Sequence, residues 1–127
     1  MPTEPTTKRA VAFVDGQNLY RSAKTAFGYH YPNYDVRLAL DIVRLASRQE
    51  YDIALVFSQD QDLSEVADEI RLLSREQDRW LKIACAFPVS PVVPKPRGIN
   101  GTDWIKIDRA AYDACLDARD YRPKPKT

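Results

Sequence analysis

Apolar residues in this chain fall into short unbroken runs separated by longer amphipathic stretches. Val11 to Val14 (VAFV) is the first run, and it stops at the turn pair Asp15-Gly16. An all-apolar run this short reads as a strand covered on both faces. Asn18 then stands where a helix through LYRSAKTAF can begin. The segment FGYHYPNY, residues 27–34, holds a glycine and a proline and reads as a connection. In DVRLALDIVRLASRQE, residues Val36, Leu40 and Val43, with Ala39 and Ala46 around the same face, recur at helical spacing, and Asp35 occupies the N-cap position. YDIALVFS reads as a second strand and LKIACAF as a third. Between them DLSEVADEIRLLSREQ predicts a helix whose stripe is Leu63, Val66, Ala67, Ile70 and Leu73. Four prolines in the eleven residues from Pro88 to Gly98 enforce an irregular loop. Trp104–Ile107 predicts a fourth strand, and Asp108 is placed to cap a final helix through Ala111-Tyr112.

Strands alternating with helices imply an α/β fold with a mostly parallel sheet between helical layers. Residues 1–8 are expected to be a flexible lead-in, 9–118 the folded domain, and 119–127 a basic flexible tail. In parallel sheets ligands bind outside the carboxyl ends of the strands. Asp15 follows the first strand, and Asp60 and Asp62 follow the second, so all three are expected on one edge.

Composition narrows the field. The 127 residues suit one domain, and 44% hydrophobic with 29% charged residues is the balance of a globular chain. A net charge of +1 does not by itself announce a nucleic-acid binder. No apolar run approaches the roughly 20 residues of a membrane span, and MPTEPTTKR lacks a signal core, so a cytoplasmic protein is expected. Cys85 and Cys115 stand at unrelated spacing in apolar surroundings and read as two reduced, buried thiols. The single histidine, His30, leaves a two-histidine nuclease impossible within one chain. Only four scattered glycines are present, so no phosphate loop and no nucleotide cofactor are expected.

What remains is carboxylate chemistry. Acids converging on one edge repel unless a cation or proton neutralises them. Mg2+ or Mn2+, which prefer oxygen ligands, would do so and would cut phosphodiesters by activating water. Each acid also has a plain structural duty. Asp62 begins Asp-Leu-Ser-Glu, a capping box with Glu65. Asp15 suits a turn before Gly16, Asp35 an N-cap, and Asp103 a turn after Asn100-Gly101-Thr102. Asp41 lies at ion-pair spacing from Arg37 and Arg44, and on pattern alone a surface salt bridge is the better reading. Asn18 can cap its helix or hold a metal-bound water. Asp60, between strand and cap, has no evident helical duty. Tyr29, Tyr31 and Tyr34 suit packing more than base stacking.

Three stretches carry a resemblance. AFVDGQNLY resembles the first motif of the NYN domain, a PIN-like nuclease family; DVRLALDIVRLA resembles its central helix motif; ALVFSQDQDLSEVADEIR resembles its strand-acid-helix motif. The resemblance runs from about Arg9 to Asp108. It implies a Rossmann-like, PIN-like three-layer sandwich and metal-dependent cleavage of RNA that leaves a 5′-phosphate. By matching positions, the implied catalytic acids are Asp15, Asp35, Asp60 and Asp62, with Asn18 and Asp41 in support. Asp15, Asp35 and Asp60 are the implied metal ligands. Such domains usually carry a further strand-helix-strand portion before the central helix. YRSAKTAFGYHYPNYDVRLALD runs straight through that point, so strands are expected to be missing. Gln59 replaces a small residue and is expected to crowd the metal or hydrogen-bond to it. The open sheet edge invites a homodimer. A shortened domain that binds RNA or a protein without cutting is the alternative.

Overall fold

The computed structural model describes residues 2–14, 34–92 and 96–115, with Tyr34 and Asp35 described by their backbone alone. The helix expected after Asn18, the aromatic connection, and the basic tail lie outside the described residues. Strand β1 (Ala10–Val14) is followed by helix α1 (Tyr34–Ser47), β2 (Ile53–Phe57), a 3-10 turn (Gln61–Leu63) and α2 (Ser64–Glu76). Then come β3 (Lys82–Pro88), β4 (Asp103–Ile107) and the short α3 (Arg109–Ala114). The protein is α/β, as expected. Among the described residues the sheet has four strands, all parallel, in the order β1-β2-β3-β4, and it is flanked by helices.

Sequential strand order has a consequence. Right-handed crossovers that always step the same way place their helices on the same face. Accordingly α1 and α2 pack side by side, and Gln77 Nε2 donates to the Ser47 carbonyl at 3.1 Å. The strand residues in the main core, Phe13, Ala54, Val56, Ile83, Cys85 and Phe87, all belong to the face that meets these helices. From α2 the core takes Val66, Ala67 and Ile70, as the stripe predicts. From α1 it takes Ile42 and Ala46, whereas Val36 and Leu40 are 54% and 52% exposed. Ala39, Val43 and Ala46 of the expected stripe do pack inward, so the buried face is turned only part of the way from the one expected. Leu38, Ala39, Ile42, Leu45 and Ala46 recur at the same helical spacing, and only packing against the sheet selects between two overlapping apolar faces.

The amino ends of β1, β2 and β3 are held by one group. The Asp52 carboxylate accepts from the Arg9 backbone N–H at 2.8 Å and from its guanidinium at 3.2 Å. Arg79 stands 3.5 Å away on the other side. Its Nη1 donates to the Tyr51 carbonyl and its Nη2 to the Ala46 carbonyl, both at 2.9 Å, the latter carbonyl shared with the Gln49 N–H at the end of α1. Tyr51 is fully buried, stacks edge-on with Phe13, and donates its hydroxyl to the Ile42 carbonyl at 2.7 Å. Burial pushes that phenol well above its ordinary range.

Two outcomes follow for stability. Arg79→Ala removes the hydrogen bonds to Ala46, Tyr51 and Gln77 and the ion pair with Asp52, and is expected to cost about 2–3 kcal/mol in urea unfolding. The side-chain and backbone hydrogen bonds from Arg9 hold the Asp52 carboxyl below the usual carboxylate range. A carboxyl lowered in the folded state stabilises above its unfolded pKa, about 3.9, and that contribution is lost as pH falls through the folded value. The parent is thus expected to lose more melting temperature than Asp52→Asn between pH 5 and acid. Parallel thermal melts check this, and equal losses would contradict it.

Candidate functional site

At the carboxyl edge, β2 ends at Phe57 and the chain turns through Ser58, Gln59 and Asp60. Ser58 is buried; its Oγ accepts from the Asp60 N–H at 3.1 Å, and its carbonyl accepts from the Cys85 thiol at 2.7 Å. Burial pushes the Cys85 thiol pKa up, so this is an inert packing group. Cys115, expected to be buried as well, is exposed at the end of α3. Both thiols are free.

The two aspartates exchange the duties the pattern assigns them. Asp60 has extended backbone, and its Oδ1 accepts from the Asp62 N–H at 3.0 Å, which caps the 3-10 turn. The capping box at Asp62 does not form. Residue 63, a leucine in helical conformation, precedes α2, and no side chain caps that helix. The cause is the inserted 3-10 turn. It moves the first orphan N–H forward to position 62, within reach of Asp60. Asp62 is left exposed within the turn.

The glutamines that alternate with these acids have their own task. Gln59 Nε2 donates to the Arg97 carbonyl at 3.0 Å. Gln61 Nε2 donates to the Gly98 carbonyl at 2.7 Å, while its oxygen accepts from the Asn100 N–H at 3.0 Å. They tie the turn after β2 to the loop before β4. Gln59 thus serves the loop, where it was expected to approach a metal. The loop is packed tightly. A Cβ on Gly98 would meet the Phe87 and Trp104 rings at 2.7 Å, and Ile99 beside it is fully buried.

The other candidates divide. Asp15 and Asn18 lie outside the described residues. Asp15 follows Val14 in sequence, and Val14 pairs with Phe57, three residues before Asp60. Asp35 is the second residue of α1, one position inside the helix where an N-cap was expected. By helical spacing its position continues the row of Ala39 and Ile42. Asp41 pairs with Arg37 at 3.4 Å, one turn earlier, as the charge spacing predicts. Asp103 is no turn residue. It opens β4 at the amino edge, 4.0 Å from Lys82. A further acid at the carboxyl edge, Asp108, caps α3 by accepting from the Ala111 N–H at 2.8 Å.

Among the described residues, no three His, Cys, Asp or Glu side chains come together as a metal-binding group. Asp60 and Asp62 offer carboxylate oxygens, the hard donors that Mg2+ or Mn2+ takes. One Asp60 oxygen is already engaged by the Asp62 N–H. The described part of the edge therefore fits a divalent cation in donor chemistry, and any further ligands must come from elsewhere. An open groove of about 1030 Å3 lies at the other end of the sheet, floored by Ile70, Leu81 and Ile83 and rimmed by Arg71, Arg75 and Asp103. Cavity and acids do not coincide.

The cap assignment predicts an asymmetry. Asp60→Ala is expected to cost about 1 kcal/mol, and Asp62→Ala to stay within about 0.5 kcal/mol of the parent, in urea unfolding. The reverse order would restore the capping box. Set beside known proteins, the chain has no matching family model, no matching curated protein and no matching solved structure.

Proposed function

We propose that the protein is a metal-dependent ribonuclease that hydrolyses RNA phosphodiesters at the carboxyl edge of its sheet. The reading rests first on the resemblance of three ordered stretches to NYN-domain motifs. The observation that carries it is the in-register pairing of β1 with β2, Val14 opposite Phe57. That pairing directs the chain towards Asp15 and the chain towards Asp60 out of the same edge, where parallel sheets bind ligands. The start of α1, with Asp35, belongs to the connection that returns from that edge.

In this reading Asp15, Asp35 and Asp60 hold Mg2+ or Mn2+, with Asp62, Asn18 and Asp41 in support. Bound there, the ion supplies a water of lowered pKa and positive charge opposite the leaving oxygen. Asp60 keeps Oδ1 on the Asp62 N–H, which holds its carboxylate in orientation. Gln59 and Gln61 keep the supporting turn rigid through the 96–100 loop. The reading includes a cytoplasmic location, where Cys85 and Cys115 remain thiols, and a homodimer closing one open strand edge. No helix among the described residues is long and apolar enough to cross a membrane.

A second reading, a non-catalytic domain that binds RNA or a protein, is favoured by one observation. The described acids do not by themselves assemble three ligands. Cleavage of a labelled RNA with Mn2+ separates the two. Asp15→Asn and Asp60→Asn, purified identically, are expected to lose cleavage by at least about 100-fold. Asparagine caps as well as aspartate, so Asp60→Asn is expected to melt like the parent. Equal activity in all three proteins would expose a contaminant. No activity in a folded parent would decide for the binding domain. Mn2+ is also expected to raise the parent's melting temperature and not that of Asp60→Asn.

A further inference from the structure

We propose that β4 is a self-association edge, across which two copies pair antiparallel about a two-fold axis at Ile105. The proposal rests on the homodimer part of the reading above and is independent of RNA cleavage.

β4 has β3 on one side and, among the described residues, no strand on the other. Both of its faces are open: Trp104 is 44% and Ile105 46% exposed. The helix layer stops short of it. The described residues between β3 and β4 form no helix, and a groove lies open beside α2.

The direction of the backbone groups sets the register. The Val89 N–H donates to the Ile107 carbonyl at 2.9 Å, so the polar groups of Ile107 point towards β3. Backbone polar groups alternate sides along a strand, so those of Ile105 and Asp103 also point to β3. Those of Trp104 and Lys106 point outward. A symmetric antiparallel pair that keeps each face continuous must match residues of like parity. Pairing Trp104 with Lys106 of the other copy makes both outward sets meet as hydrogen-bonded pairs, with Ile105 facing Ile105 between them.

Side chains agree with this register. Trp104 shares the helix-side face with Cys85, its neighbour across the β3–β4 ladder, and Lys106 lies on that same face. Each indole therefore meets an ammonium from the other copy, a cation–π pairing, and this happens twice. On the opposite face two half-exposed isoleucines cover each other. The β1 edge is chemically poorer. The outward positions there are Ala10, Ala12 and Val14, because the Arg9 carbonyl accepts from Asp52 and Ile53 and so faces β2. A symmetric β1 pairing about Ala12 would set alanine against alanine at its centre and offer no aromatic–cation pair.

Five-residue strands fall short of the roughly 1,200 Å2 of a standard interface, so dissociation on the order of tens of micromolar is expected. Sedimentation of the full chain tests this. At concentrations above that range the parent is expected at about twice its 14.5 kDa. Lys106→Pro deletes an outward N–H that β3 does not use, and is expected to be monomeric with parental circular dichroism. In a Cys115→Ser background, Ile105→Cys is expected to form an intermolecular disulfide on air oxidation, since opposed non-hydrogen-bonded positions lie about 4.5 Å apart. Ala12→Cys in the same background is expected not to cross-link. A monomeric parent, a dimer that survives Lys106→Pro, or cross-linking through Ala12→Cys would each overturn the proposal. RNA cleavage is measured separately, so a parent that is monomeric yet cleaves RNA refutes this edge and leaves the nuclease reading standing.

Discussion

Asp52 is where the sheet and the helix layer are joined. Its backbone carbonyl accepts from Lys82 at the start of β3, its N–H donates to the Arg9 carbonyl before β1, and its side chain holds Arg9 again. Three strands are thereby aligned at their first residues. Arg79, on the far side of the carboxylate, carries the alignment to the end of α1 through the Ala46 carbonyl. Two guanidiniums face this charge, and that of Arg79 is in turn held by the Ala46 and Tyr51 carbonyls and by Gln77.

Alignment at one end of a parallel sheet propagates to the other, because the strands rise equally per residue. β1 and β2 start together and therefore end together, Val14 opposite Phe57. The carboxyl edge, with its acids, is in this sense a consequence of Asp52 some five residues away. What the edge gains locally is rigidity. Ser58 turns the chain, Asp60 caps the 3-10 turn, and Gln59 and Gln61 anchor it to the 96–100 loop. The alternation of glutamine and aspartate in FSQDQD divides the labour, with amides reaching sideways to the loop and carboxylates left for the turn and for solvent.

Much of this was legible in the residues. The strand runs, the α2 stripe, the cap at Asp108 and the Arg37–Asp41 pair all depend on contacts within a few positions, and local spacing encodes them. The parallel sheet followed from alternation of element types. The misjudged points are of another kind. Asp60 and Asp62 exchanged roles because a 3-10 turn, which leaves no periodic mark over three residues, precedes α2. Val36 and Leu40 faced outward because α1 carries two overlapping apolar stripes of equal period. Gln59 and Gln61 carried no signal at all, since their partners lie 37 to 39 positions away.

The residues alone thus determined the described strands and α-helices, the class of fold, and that Asp60 and Asp62 follow β2 at its carboxyl end. Those properties follow from hydrophobic period, turn chemistry and chain direction. The tertiary structure decided which stripe of α1 is buried, which aspartate caps, and that the outward groups of β4 belong to Trp104 and Lys106. Each of these depends on a surface presented by a distant segment, and the free energy that selects it exists only once the segments have packed together.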